Sequence, residues 1–395
     1  MAIQLLVKDV FSIGSRDWDR RLFDELIPLP DGTSYNSYLI KGSERTALID
    51  TVDPVKKNEL INNVKQLNIQ KLDYVISNHA EQDHSGAIPD ILELYPDCKV
   101  VTNSKCKEFL IDHLLIPENR FIKKEDGESI SLGNKTLEFY LTPWVHWPET
   151  MVTYLKEDKI LFSCDFFGSH FATSDLFVTD KYKVISDAKR YYAEIMMPFR
   201  TQIKKNIEKI TKLDFNFIAP SHGPVYDNPE IIIDAYKDWI SDRTDNTVII
   251  PYISMHGSTE YMANYLLDSL IAKGINVKPF NLSKTDLGEL AMSLVDSTTL
   301  LLGTSTVLVG PHPAALYATV LVNALKPKLK YISIFGSYGW GGKTVEMIQA
   351  NLNRLNAEIL APVLSKGHPR KEDLDLLDKL ANQVYEKHKE LNLIK

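Results

Sequence analysis

From residue 247 onward, apolar runs alternate with helical patterns five times, and no other feature limits the possible folds so tightly. The runs "TVIIPYIS", "INVKPFNL", "TTLLLGTS", "LKYISIFGS" and "AEILAPVLS" are followed by helical stretches near 259–273, 285–295, 314–325, 343–355 and 371–391. Strands separated by helices cannot pair as tight hairpins, so this rhythm predicts a parallel sheet with helices on both faces. Residues 1 to about 245 follow a different rhythm. There "TALIDTVD", "KLDYVISNH", "KTLEFYLTP", "DKILFSCDF" and "FNFIAPSHG" read as short strands among irregular loops and a few helices. The polar stretch "SDRTDN" at 241–246 separates the two, giving expected domains 1–245 and 246–395. A chain of 395 residues has length enough for two cores.

Bulk properties exclude several function classes. A net charge of −7 argues against a nucleic-acid or anionic-membrane partner. No apolar stretch approaches the roughly twenty residues that span a bilayer. The opening "MAIQLLVKDVFSIGSRDWDRR" lacks the cationic start of a signal peptide. Cys98, Cys106 and Cys164 form no paired spacing, which points away from disulfides, thiolate metal sites and cysteine-held clusters. The expectation is a cytoplasmic, soluble protein, with Cys164 acting as a small buried hydrophobe.

Chemistry concentrates in "SNHAEQDHSG", directly after the strand "YVIS". His79, Glu81, Asp83 and His84 place two imidazoles and two carboxylates in six positions. A single histidine is usually structural, but four such groups in one loop read as metal ligands. Further candidates follow other strands: His146 beyond "LEFYL", Asp165 at the end of "ILFSCD", and His222 past "FIAPS". Ligands gathered at one end of several strands can converge on one site.

The order H-x-[H/E]-x-D-H, then His, Asp and His, resembles the metallo-β-lactamase fold, an αββα sandwich with a dinuclear site. "LID" at 48–50 resembles that family's structural aspartate, so Asp50 is expected not to be a ligand. Hydrolases of that family usually have histidine where Glu81 stands, and usually bind zinc. Four imidazoles and three carboxylates without a thiolate suit iron at least as well as zinc. The extra anionic oxygen of Glu81 favours the higher oxidation state of a redox metal. That shifts the expected chemistry from hydrolysis toward redox; a dizinc hydrolase with a flavodoxin-like accessory domain stays as the alternative.

The later domain, with five βα units, resembles a flavodoxin-like doubly wound five-stranded parallel sheet. Its first loop offers Ser254, Met255, His256, Gly257, Ser258 and Thr259 before a helix N-terminus, where backbone N–H groups and hydroxyls can hold a phosphate. Thr304, Ser305, Thr306 and Val307 after the third strand would flank a flavin ring. So would Ser337, Tyr338, Gly339, Trp340, Gly341 and Gly342 after the fourth. "SYGWGGKT" only approximates a P-loop, because Ser337 stands where the pattern needs its first glycine.

The two domains in this order, with "HWPETM" after His146 and "YGWGG" at 338–342, resemble a flavodiiron protein over nearly the whole chain. The resemblance implies a non-haem diiron centre with two Fe: one held by His79, Glu81 and His146, the other by Asp83, His84 and His222, with Asp165 bridging. It implies FMN in the second domain and an oxidoreductase that reduces O2 to water, NO to N2O, or both. It also implies a head-to-tail homodimer or higher homo-oligomer, with one chain's FMN facing the partner's irons. No rubredoxin-like cysteine pairs occur, so an external electron donor such as rubredoxin is expected. One departure is visible: the family's S-P-T-x-N loop reads Thr304-Ser305-Thr306-Val307-Leu308 here. His170, Tyr191 and Tyr192 are candidates for the surroundings of the metals, and His256 and His312 for contact with the flavin. Trp147 reads as packing, and no role falls to His113, His368 or His388.

Overall fold

The computed structural model describes residues 3–394. The chain divides into two compact units: residues up to Tyr192 with Phe199–Ile240, and Ala193–Pro198 with Ser241 onward. The short segment Ala193–Pro198 groups with the second unit, which nothing in its composition announces.

The first unit contains two large sheets. Seven strands make one, in the order Gln4–Val7, Val10–Ser12, Tyr38–Lys41, Thr46–Ile49, Tyr74–Ile76, Lys99–Thr102 and Phe121–Lys123. The other runs Ser129–Ser131, Thr136–Leu141, Met151–Leu155, Ile160–Cys164 and Phe217–Pro220. Side chains alternate between the faces of a strand, and that alternation sorts the core. Tyr38, Ile40, Ala47, Ile49, Ile76 and Val101 point toward Leu137, Phe139, Leu155 and Phe162 of the second sheet. Their neighbours Leu39, Leu48, Val75 and Val100 point the other way, onto Leu60, Val64, Ile91 and Leu110 of flanking helices. The result is the expected metallo-β-lactamase-like sandwich. Two sheets sharing one dry interface fix the strand ends, and the loops that follow them carry the chemistry.

The second unit has the central strand order Asn276–Asn281, Asp245–Tyr252, Ser297–Val307, Tyr331–Tyr338, all paired in parallel. A split fifth position, Glu358–Ile359 and Val363–Lys366, completes it. This 2-1-3-4-5 order is that of flavodoxin. Two details differ from the sequence reading. Pro362, which has no N–H to donate, interrupts the fifth strand. The helix expected over 343–355 ends at Ala350, where the Asn351 side chain donates to the Met347 carbonyl at 2.8 Å.

His388, to which the sequence assigned no role, is fully buried on the inner face of the helix Lys371–Glu390. Asn246 donates its amide to Gly274 O at 2.9 Å, leaving its oxygen to accept from His388 Nδ1 at 2.8 Å. Nε2 therefore accepts from the Thr299 hydroxyl at 2.8 Å. Both ring nitrogens of the neutral imidazole are satisfied, and burial pulls the group down to about 4. The unfolded chain binds the proton first, so this contribution is complete above about 6.5 and is lost as pH falls toward 4. It amounts to roughly 3 kcal/mol. In His388→Gln the dependence of unfolding free energy on pH over that window should be shallower by about one proton. Equal slopes in variant and parent, measured by denaturant titration, would contradict this assignment.

Candidate metal centre and flavin pocket

The metal-site loop leaves the strand Tyr74–Ile76 and is anchored by buried hydrogen bonds. Asp50, at the end of its own strand, accepts from Asn78 N at 2.8 Å and Asn78 Nδ2 at 2.9 Å. Thr51 donates twice to the His84 carbonyl, from N at 2.6 Å and Oγ1 at 2.7 Å. Asp50 thus shapes the loop and stands outside the ligand clusters. Glu81 occupies the N-cap position of the short helix Gln82–Ser85 without capping it, so its carboxylate turns to the histidines instead.

Seven side chains converge there as two groups. His79, Glu81, His146 and Asp165 form one; Asp83, His84 and His222 form the other. Asp165 also faces the second group. Its Oδ2 lies 3.5 Å from His79 Nε2 and 3.3 Å from His146 Nε2, while its Oδ1 lies 2.8 Å from His84 Nε2 and 3.4 Å from His222 Nε2. Glu81 Oε2 lies 3.1 Å from His79 Nε2 and 3.0 Å from His146 Nε2. Asp83 Oδ1 is 3.2 Å from His84 Nε2, and its Oδ2 is 3.2 Å from His222 Nε2.

The donor chemistry of this cluster fits metal ions. Both oxygens of Asp83, Asp165 Oδ1 and His84 Nε2 are buried without a hydrogen bond, despite their short separations. Buried polar atoms normally find partners, and lone pairs aimed at a common point are satisfied by a cation. Burial disfavours charge on the imidazoles, yet the carboxylates more than offset it, lifting His146 to about 9 and His222 to about 10. Burial likewise works against ionising Glu81 and Asp165, and the surrounding imidazoles hold both carboxyls well below the usual range. The site is a strong trap for positive charge.

Glu149 escaped the sequence reading. It is buried behind His79, accepting from Nδ1 at 2.6 Å and from Ala80 N at 3.1 Å. A charged acceptor there puts the His79 proton on Nδ1 and leaves Nε2 free for a metal. The Ser34 carbonyl does the same for His222 Nδ1 at 2.6 Å. The available signal was a carboxylate three positions past His146 and just before a fully buried strand, Met151–Leu155. Trp147 meets the His79 ring edge-on at 4.9 Å. His170 is buried 4.7 Å from the His222 ring and bonds Thr33 Oγ1 at 2.9 Å, and Tyr191 packs on both histidines. Tyr192 instead packs against Tyr236 and Trp239. Cys164 Sγ lies near His84 and Asp165, and burial pushes the thiol well above its usual value. An open cavity of about 560 Å³ reaches Glu81 and Asp83 past Phe23, Asp24, Val55, His113 and Trp147. His113 thus lies on this cavity rather than apart from the chemistry.

In the second unit a cavity of about 390 Å³ is lined by Ser254, Met255, His256, Ser258, Ser305, Thr306, Ser337, Tyr338, Gly339 and Trp340. Gly367, beyond the fifth strand, also lines it and was not anticipated. The other expected residues shape the loops. Gly257 takes a φ of 87° at the N-cap of the helix Ser258–Ile271, a conformation costly for other residues. Thr259 shares a hydrogen bond with Ser337 Oγ at 3.1 Å, and Thr304 Oγ1 accepts from His312 N at 3.1 Å. Val307 forms the hairpin with Gly310. A Cβ on Gly342 would come 2.8 Å from the Val309 carbonyl, and Gly341 makes no such close approach. His312 caps the helix Pro313–Leu325 through Nδ1 and is not among the lining residues. The buried Ser305 hydroxyl has no partner. A helix N-terminus with free hydroxyls beside Tyr338 and Trp340 suits a phosphate joined to a planar ring.

Residues 33–223 match the family model described as ODP family beta lactamase, and 250–377 match flavodoxin. The nitric oxide reductase of Moorella thermoacetica is 36% identical over 385 residues, covering 95% of this chain and 96% of the relative. Rubredoxin oxygen:oxidoreductase from Desulfovibrio gigas aligns with a TM-score of 0.95 at 29% identity, covering 98% of this chain and 99% of that one. The flavodiiron protein of Giardia intestinalis aligns with a TM-score of 0.89 at 28% identity over 98% of both chains. The chain is a flavodiiron protein. As a flavodiiron protein it is an oxidoreductase whose cofactors are FMN and a non-haem diiron centre. No helix among the described residues is long and apolar enough to cross a membrane.

Glu149 gives this flavodiiron protein a testable support. Glu149→Gln should weaken metal binding at the His79 side by about 10- to 100-fold, leaving the Asp83–His84–His222 side loaded. Equilibrium dialysis of the metal-stripped protein against zinc reads this out, and two unchanged affinities would contradict the assignment.

Proposed function

We propose that the chain reduces O2 to water or NO to N2O at a diiron pair. His79, Glu81 and His146 would hold one iron, Asp83, His84 and His222 the other, and Asp165 would bridge them. Asp165 carries the reading: one of its oxygens faces the His79–His146 group and the other the His84–His222 group. When bound, the iron pair supplies a place for a diatomic gas to be reduced, and FMN supplies electrons taken up as a pair and passed on singly. The chain's own residues do the rest. Glu81 adds an anionic donor where a hydrolase would have a neutral imidazole. Glu149 and the Ser34 carbonyl hold two imidazoles in the ligating tautomer. The cavity beside Glu81 and Asp83 admits a small molecule.

In the second unit Ser254, Ser258 and Ser305 would bind FMN, with Tyr338 and Trp340 beside the ring. Electrons would come from an external small carrier such as rubredoxin; the relative from Desulfovibrio gigas is named for that donor. Two surfaces support head-to-tail pairing of chains. The mouth of the metal cavity carries Asp53 beside exposed Val55. The flavin rim carries exposed Leu308 and Trp340, with Lys343 N donating to the Val309 carbonyl at 2.9 Å and Lys366 paired with Tyr338. Opposite charge around apolar centres is what a second copy needs to bring flavin and metal together. A dizinc hydrolase is not favoured, because Glu81 stands at the position where the hydrolases place histidine.

Protein from iron-sufficient growth should contain near two irons and one FMN per chain and should reduce at least one of the two gases. Glu81→His should keep FMN but lose most gas-reducing turnover; full turnover in that variant would refute the role given to Glu81. Leu308→Asp should shift the chain toward monomer in analytical ultracentrifugation. An undisturbed dimer would place the interface elsewhere.

A further inference from the structure

The wall of the metal cavity carries an acid that no ligand role claims. Asp24 sits at the tip of a small hairpin whose strands, Leu22–Phe23 and Ile27–Pro28, pair directly. Asp24 and Glu25 both take left-handed backbone, with φ of 50° and 52°. Aspartate tolerates that conformation better than most residues, whereas glutamate does not, so the hairpin is held in a strained form. Its effect is to set Asp24 on the cavity that Glu81 and Asp83 also line.

The other charged groups around Asp24 are engaged. Arg20 donates to the Leu22 carbonyl at 2.6 Å and lies 3.9 Å from Asp53, which itself accepts from Val55 N. Glu81 and Asp83 face the ligand histidines, including His146, and His113 stacks on Phe109. Among the described residues Asp24 has no ion pair and no side-chain hydrogen bond. We infer that Asp24 is the proton-delivering residue of this cavity, passing protons from solvent to the gas being reduced.

This inference rests on the proposed reaction, which consumes protons. O2 takes four electrons and four protons to give two waters; two NO take two electrons and two protons to give N2O and one water. The electrons come from the reduced flavin and its external carrier. In each delivery the Asp24 O–H bond breaks and an O–H bond of product forms. Solvent at the open side of the cavity then returns a proton to the carboxylate. Burial raises the Asp24 carboxyl above its ordinary value, and the nearby Glu81 and Asp83 push it the same way. Asp24 is itself exposed to solvent, and its place on the cavity wall and its lack of a partner carry the inference, rather than this shift.

The test compares the iron- and FMN-loaded protein with Asp24→Asn and Asp24→Glu. Asp24→Asn should keep its iron, its FMN and its rate of flavin reduction. Its turnover should fall by about 100-fold, with a larger solvent isotope effect and loss of one limb of the pH profile. Asp24→Glu should restore the pH limb but only a minor part of the rate, because glutamate is strained at the left-handed φ of 50° held here. In zinc-loaded, redox-silent protein, the infrared band of a protonated carboxyl that titrates in the parent should be missing from Asp24→Asn. Unchanged turnover and pH profile in Asp24→Asn, or loss of its iron, would overturn the inference. If the parent protein reduces neither gas, the reaction itself is wrong, and that result is read before any variant is compared.

Discussion

Three carboxylates and four imidazoles crowded into one nearly dry site are the constraint on which the first unit depends. Glu81, Asp83 and Asp165 cannot be desolvated together unless positive charge lies between them. The histidines supply the geometry for that charge, since each turns Nε2 inward. Everything around the cluster resists its relaxation. Asp50 pins Asn78, Thr51 pins His84, Glu149 pins His79, and the two-sheet core fixes the strands from which these loops spring. Scaffold and site are one electrostatic problem, with the packing of the sandwich holding together groups that would otherwise move apart.

Much of this was legible in the sequence, because strand ends and ligand types are local signals. The run from His79 to His84 follows an apolar strand, and Asp165 and His222 end theirs, so seven distant residues could be read as one site. The flavodoxin-like parallel sheet was expected from five βα repeats, and its strand order came from the structure. What stayed hidden depends on long-range placement. Glu149 becomes meaningful only because it lies behind a histidine 70 positions earlier. Asp24 sits between two-residue strands, too short for any periodicity to show. His388 continues the inward spacing of Leu377, Leu380, Ala381 and Val384, so its burial could be read, but its partners Thr299 and Asn246 could not.

The candidate flavin pocket shows the same division. Its serines and its Tyr338–Trp340 stretch are turn-rich loops at strand ends and could be found. Gly367 arrives from the fifth strand, where a parallel neighbour brings it beside Tyr338; its N–H donates to the Tyr338 carbonyl at 2.8 Å. The departure at Leu308 also gains a physical meaning. Leu308 and Val309 both adopt positive φ at a two-residue hairpin where Asn or Gly would be easier. Leu308 is 93% exposed, so local packing does not explain that preference.

The contact of His388 with Asn246 spans 142 positions, and it joins the first strand of the second unit to its last helix. The seven candidate metal ligands, by contrast, all lie between His79 and His222. During synthesis the candidate ligand set therefore emerges well before the flavodoxin-like sheet can close. The first unit can fold as a unit while the second still lacks its final helix. The candidate ligands are thus all in place before the residue that ties the second unit's first strand to its last helix has been made.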